Sequence, residues 1–508
     1  MKTRLLALLL AVLGSTALMA RGQFTNGQAA TYVLGQSSFT ASDSNPTSLH
    51  YWGAQDIAID TRTGKAFVID IYASRILRYA NIDALAMGAA PEAVLGQTSL
   101  DVGGSGTSAS QMNSPGGLAL DSSGRLWVAD TGNNRVLRFD NALSKSNGTD
   151  ADGVLGQSNF TSSGTASTQS GMSGPAAVCV DYTGTLWVAD TANNRILRFA
   201  NAALKSNGAN ADGVLGQTDF TNNSITIPAT ASGMNQPSGL CTDLSGHLWV
   251  ADTNDARVLR FDNAATEADS DGAPADHVLG QLSLSGGSSG TTAQLLSSPV
   301  NIDIDSTGLL AVSDKNNKRC LLWANAASLG DGASASFVLG QTSFNVQGQG
   351  GLTANQFGDP RSARFDAAGR LWIVDGSARR VLRFDRSPML GGSFQPQILT
   401  TRDRRSVTFT IANAGPLPAQ FKLSTKVKTL GHGKVRTRWL LDGANVTRSF
   451  RSGAVATRVL SQGESTILVC KPTRLHGSIG PLRLKVRVDA ASKNYPSITA
   501  SAATTLKQ

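Results

Sequence analysis

Apolar positions along most of the chain come in short alternating runs rather than recurring every three or four residues. From residue 116 to 139 (GGLALDSSGRLWVADTGNNRVLRF), Leu118 and Leu120 mark one face of a first strand, while Leu126 to Ala129 and Val136 to Phe139 make two more. Val154 to Gln157 supplies a fourth. A period of two bounded by polar clusters predicts strands, and the absence of a 3.6-residue apolar period excludes a helical solenoid. The polar connectors carry turn chemistry. Asp121-Ser122-Ser123-Gly124 suits a tight hairpin with glycine in the left-handed position, and Asp130-Thr131-Gly132-Asn133-Asn134 suits an Asx turn, because Asn and Gly tolerate positive φ.

This unit repeats. Gly-Gln follows an apolar run at Gly35, Gly96, Gly156, Gly216, Gly280 and Gly340, at intervals of 61, 60, 60, 64 and 60. Asp followed five residues later by Arg recurs in step, as Asp70/Arg75, Asp130/Arg135, Asp190/Arg195, Asp252/Arg257, Asp314/Arg319 and Asp375/Arg380. Four short strands per unit, six times over, predict an all-β six-bladed β-propeller. The first Val33-Leu34-Gly35-Gln36 precedes any complete blade, and the last three-strand set (Ala363 to Phe384) has no Gly-Gln strand after it. The N-terminal strand is therefore expected to close the last blade, removing an open edge.

The string Asp-x-x-Gly-x-Leu-Trp-Val-Ala-Asp-Thr-x-Asn-Asn-Arg-Val/Ile-Leu-Arg-Phe, at 121 to 139 and 181 to 199, resembles the NHL repeat. Three blades depart from it. Blade 1 has Asp70-Ile71-Tyr72-Ala73-Ser74-Arg75, blade 5 replaces the strand tryptophan with Ala311 and the second arginine with Leu322, and blade 6 has Gly376-Ser377-Ala378 in the turn. A ligand surface is expected where the repeat breaks.

Composition adds compartment and domain limits. Residues 1–22 begin with Lys2 and Arg4 ahead of an apolar run from Leu5 to Leu13 and then small residues, the pattern of a secretory signal peptide. No later stretch reaches the length of a membrane span, so a secreted, periplasmic or envelope location is expected. The propeller occupies 23–386, a Pro/Gly/Ser-rich linker 387–398, and alternating strands at 399–508 fit a small immunoglobulin-like β-sandwich similar to accessory domains of exported bacterial proteins. The formal net charge of +9 averages two opposites. Residues 395–508 hold 19 Lys and Arg against 4 Asp and Glu, and residues 24–394 hold 23 against 32. A polyanion partner therefore belongs to the C-terminal segment, although solvated Lys and Arg on an ordinary sandwich read equally from this pattern.

Candidate chemistry is sparse. Recurrence in every blade makes the Asp/Arg pairs turn fasteners rather than catalysts, and the strand tryptophans Trp127, Trp187, Trp249 and Trp372 read as packing between blades. Cys179, Cys241, Cys320 and Cys470 lack metal spacing; Cys179 and Cys241 sit at equivalent positions of adjacent blades, so either a bridge or buried thiols fits. Other six-bladed propellers include lyases with histidines around a metal and gluconolactonase-like hydrolases with Glu, Asn and Asp on calcium. With five histidines and three glutamates, this chain reads as a non-catalytic binding or scaffold module for a protein or carbohydrate ligand, and a monomer is expected. The alternative is a propeller hydrolase or lyase with calcium in the central channel. No cofactor is expected; calcium is the one ion left open, by Asp150-Ala151-Asp152-Gly153 and Asp269-Ser270-Asp271-Gly272, which lack the acidic twelfth residue of an EF-hand. The irregularity His50-Tyr51-Trp52 in the loop leading into blade 1 marks either ring closure or a binding patch, with Phe357 and Arg361 of the neighbouring blade as partners.

Overall fold

The computed structural model describes residues 23–43, 50–267 and 272–386 except 347 and 349, and in the C-terminal region residues 397–402, 407–412, 421–430, 435–442, 444–447, 465–474, 483–492 and 499–507. The expected signal peptide and most of the expected linker lie outside these residues. Residues 397 and 398, read as linker, instead begin the strand Gln397–Arg402. Phe24–Asp385 forms one compact unit and the C-terminal segment belongs to another.

The first unit is a six-bladed propeller of four-stranded antiparallel sheets. Blade 2 is typical, with strands Gly117–Leu120, Leu126–Asp130, Arg135–Phe139 and Gly153–Leu155 running outward from the axis. Blade 6 takes Pro360–Phe365, Leu371–Asp375 and Arg380–Phe384 and borrows Tyr32–Leu34 as its outermost strand. There Tyr32 faces Arg383, Val33 faces Leu382 and Leu34 faces Val381, so the predicted closure holds.

Each blade is covered on both faces by its neighbours, which is why its second strand is buried along its whole length. Trp127 packs against Val178, Leu186 and Val188 of blade 3, and Trp187 against Leu240, Leu248 and Val250 of blade 4. Such a ring removes roughly 200 Å² from water, on the order of 5 kcal/mol before entropy is subtracted. Polar clips add direction. Asn147 Oδ1 accepts the Val94 N–H at 2.9 Å, Asn207 Oδ1 the Val154 N–H at 3.0 Å, and Asn26 Oδ1 the Val338 N–H at 3.0 Å. A loop of one blade thus satisfies the outer strand of the blade before it, and the N-terminus does this for blade 5.

The six Gly-Gln glycines all have φ between +79° and +86°. A Cβ at Gly156 would lie 2.8 Å from Met172 Sδ, and one at Gly216 2.9 Å from Met234 Sδ. The glycine both makes the left-handed turn and leaves room for a plug from the next lead-in loop.

The C-terminal unit holds two antiparallel sheets, one of five strands and one of three. Its longest pairing joins Phe421–Leu430 to Arg483–Ser492, which pairs in turn with Thr499–Lys507.

Candidate functional site

The Asp/Arg pairs are wholly buried fasteners. In blade 2, Asp130 Oδ2 accepts from Arg135 Nε at 2.7 Å and from Asn133 Nδ2 at 2.8 Å, while Oδ1 accepts the Asn113 N–H at 2.7 Å. The Arg135 guanidinium also donates to the carbonyls of Phe160, Ser108 and Gln111. One ion pair therefore ties a turn to its lead-in loop and to the next loop. Blade 4 differs, since Asp255 stands where blades 2, 3 and 5 have Asn133, Asn193 and Asn317. Burial pushes the Asp252 carboxyl up to about 7 against the pull of Arg257, and the like charge of Asp255 adds to the rise.

The same repeat explains two of the residues singled out in sequence. Tyr51 and Phe357 are fully buried and occupy the plug position of Met112, Met172, Met234 and Leu296, against Gly35 and Gly340. Tyr51 Oη lies 2.9 Å from Tyr79 Oη, and burial followed by that neighbour pushes its pKa well up. Neither residue offers surface to a ligand, so their assignment to a binding patch is corrected to core packing. His50 reaches Asp43 Oδ2 at 3.6 Å, and its carbonyl accepts from Arg75 at 3.5 Å. Trp52 is half-buried; its N–H donates to Asp70 and its carbonyl accepts from Arg379.

Arg361, the fifth candidate, does reach an opening. The second residues of five innermost strands, Gln55, Ala176, Ser238, Val300 and Arg361, and Gly116 just ahead of the sixth, ring a recess of about 160 Å³ at one mouth of the central channel, joined there by Asn301 and Lys315. The turns lie at the same end. In blades 2 to 4, Thr131, Thr191 and Thr253 donate from Oγ1 to the carbonyls of Pro175, Pro237 and Pro299 in the next blade, at 2.7, 2.7 and 2.8 Å. Blades 5, 6 and 1 put Lys315, Gly376 and Ile71 at that position and lose this lock.

Gly376 leaves space that the Arg361 side chain fills. Arg361 Nε donates to Asp359 Oδ2 at 2.7 Å and its NH1 to Gln55 Oε1 at 2.5 Å. Burial disfavours its charge, but Asp359 and the Tyr72 hydroxyl outweigh this and raise its pKa. Tyr72 is 63% exposed at the rim. Lys315 and Gln55 were not singled out in sequence. The signal was present for Lys315, which stands in a column of threonines.

Neighbouring innermost strands pack closely at the third positions, where a Cβ on Gly239 would lie 2.6 Å from the Asn301 backbone. Further along these strands is a second cavity of about 210 Å³, lined among others by Cys179, Cys241, Asp303 and Arg364. Arg364 grips Asp56 at 3.1 Å, and Asp303 accepts the Phe365 N–H at 2.7 Å. Burial raises Asp303 to about 6, with Arg364 opposing, and raises Cys179 to about 11. Both cysteines are free thiols.

Calcium in this channel would need several free oxygen donors on one ion. Asp56 is already gripped by Arg364, and among the described residues no group of three or more His, Cys, Asp or Glu is placed to hold a metal. In the 150–153 turn, Asp152 is taken by Lys145 at 2.9 Å and by the Asp140 N–H. The turn at 269–272 lies mostly outside the described residues. His247 and His277, both in blade 4, are engaged by Asp243 and Asp331, at 2.7 and 3.2 Å.

The NHL repeat family matches residues 112–139, 172–199 and 234–261, the lead-in, turn and third strand of blades 2 to 4. These three blades are also the ones that keep the threonine lock. Among solved structures the chain is similar to virginiamycin B lyase from Staphylococcus aureus, at 14% identity over 65% of this chain and 94% of that one, TM-score 0.36. It is also similar to a gluconolactonase from Xanthomonas campestris, at 15% over 72% and 96%, TM-score 0.38. A protein of unknown function from Bacteroides thetaiotaomicron gives 15% over 70% and 75%, TM-score 0.43. Among curated proteins none matches.

Proposed function

We propose that this NHL-repeat propeller is an exported, non-catalytic binding module that seats a carbohydrate at the mouth ringed by Gln55, Ser238 and Arg361. The observation that carries the reading is the broken symmetry. Three blades bind their turns to the next blade by the same threonine bond, and three adjacent blades give that bond up for Lys315, which lines the recess, Gly376, which makes room for Arg361 there, and Ile71. A scaffold alone has no use for the difference, whereas a ligand site must distinguish one sector from another. A recess of about 160 Å³ suits a sugar ring better than the flat face of a folded protein, and Tyr72, exposed and hydrogen-bonded to Arg361, suits a sugar C–H face.

The export reading is supported by residues 1–22, and the basic C-terminal segment supports contact with polyanions at a cell surface. The test is a panel of soluble mono- and oligosaccharides bound to the full chain and to Ala176→Phe, which fills the mouth without removing a hydrogen bond. Binding to the parent that is lost in the filled variant, at equal thermal midpoint, supports the reading. Saccharide binding that survives Ala176→Phe overturns it.

A further inference from the structure

The mouth recess has an imbalance of hydrogen-bonding groups that identifies what it takes. Its acceptors are spent internally. Gln55 Oε1 accepts from Arg361 NH1 at 2.5 Å, Asn301 Oδ1 accepts the Ala363 N–H at 3.3 Å, and Asp359 Oδ2 accepts from Arg361 Nε at 2.7 Å. In Gln55 and Asn301 the amide oxygen is thereby engaged, and the groups that remain are the amide N–H donors. The donors are not spent. The amide N–H groups of Gln55 and Asn301 and the Lys315 ammonium have no partner among the described residues, and all three residues line the recess. Lys315 is held there by its backbone, whose N–H donates to the Ser298 carbonyl at 3.3 Å.

Charge points the same way. Arg361 has one carboxylate, Asp359, and Lys315 has none, so the recess carries excess positive charge although the propeller as a whole is acidic. A half-buried cationic recess whose unpartnered side-chain groups are the donors of Gln55, Asn301 and Lys315 is complementary to an anion with several acceptor lone pairs. We infer that the mouth of the propeller binds the carboxylate of a small acidic ligand, with Lys315 and Arg361 neutralising its charge and the Gln55 and Asn301 amides donating to its oxygens. This rests on the reading of the mouth as the ligand site and adds the chemical class. A carboxylate reaches such a recess on an acidic sugar or on a free organic acid, and the experiment separates them.

The full chain is titrated calorimetrically with sodium glucuronate, sodium succinate and glucose at low ionic strength, alongside Lys315→Gln and Ala176→Phe. Glucuronate is expected to bind at least about tenfold more tightly than glucose and to lose about tenfold in Lys315→Gln, the scale of one charge-assisted hydrogen bond. Succinate matching glucuronate supports the carboxylate and assigns it to a free acid; succinate much weaker assigns it to an acidic sugar. Glucose equal to glucuronate, glucuronate unaffected by Lys315→Gln, or no binding of either acid overturns the inference. If Ala176→Phe abolishes binding while Lys315→Gln leaves it unchanged, the mouth stands as the site and only the carboxylate falls. Unchanged thermal midpoints confirm that both variants are folded.

Discussion

A single column of the repeat can be read in three ways, and its neighbours decide which. Tyr51 stood out as an irregularity leading into blade 1, yet it fills the space above Gly35 that methionine fills in blades 2 to 4. It lies 19 residues ahead of Asp70 where Met112 lies 18 ahead of Asp130, because the hairpin between the first two strands of blade 1 is one residue longer, so spacing alone pointed to Trp52 and hid the burial of Tyr51. What sequence did not carry was the paired hydroxyl of Tyr79. Tyr51→Phe leaves that hydroxyl without its buried partner and is expected to cost about 1 to 2 kcal/mol in chemical denaturation, with no change in ligand affinity. Asp255 is the opposite case, a like charge placed where other blades use asparagine. Asp252 has its folded pKa raised to about 7 by burial, with Asp255 adding to the rise, above an unfolded value near 3.9. The folded chain therefore holds the extra proton, and this contribution to stability is full below about pH 4 and lost as the pH rises through 7. Asp255→Asn should stabilise the protein at pH 8 by about 1 kcal/mol and by less at pH 5. Equal gains at both pH values in thermal melts would refute this origin.

The blade is set by two devices whose spacing was visible from the start, the Asp/Arg pair and the Gly-Gln turn. Recurrence correctly assigned the pairs to structure. Sequence could not show how far each guanidinium reaches, since its carbonyl partners lie 24 to 28 residues away in loops without a motif. Arg135→Ala leaves Asp130 buried without its counter-charge and should cost about 3 to 5 kcal/mol, measured by urea denaturation. By contrast, Leu322 of blade 5 replaces an arginine that in blades 2 and 4 bonds to the following blade, as Arg138 does to Ala203 and Arg260 to Ala327. The outer side of blade 5 is held instead by the N-terminal Asn26 and Gly27 on Val338.

At the scale of the molecule, the charge division makes the C-terminal segment the place where any polyanion contact is expected. Retention of the full chain on heparin at low salt should collapse as salt screens the 19 cations of residues 395–508, and a chain ending at residue 386 should pass through unretained. Retention of the shortened chain would place the contact elsewhere. Ring size and closure were legible because the markers count themselves. The mouth was only half legible, because Arg361, Lys315 and Gln55 belong to three blades and only the closed ring brings them together.

That closure also sets an order in time. Gln36 hydrogen-bonds to Arg379, 343 positions further along, so the chain synthesised first must wait for almost the last of the propeller before it can dock. Until then Arg380–Phe384 has no outer neighbour, and docking across so long a span is slow compared with forming any one blade. The nascent propeller is therefore an open arc with a sticky rim for most of its synthesis, and its greatest risk of aggregation falls in the interval before its two ends meet.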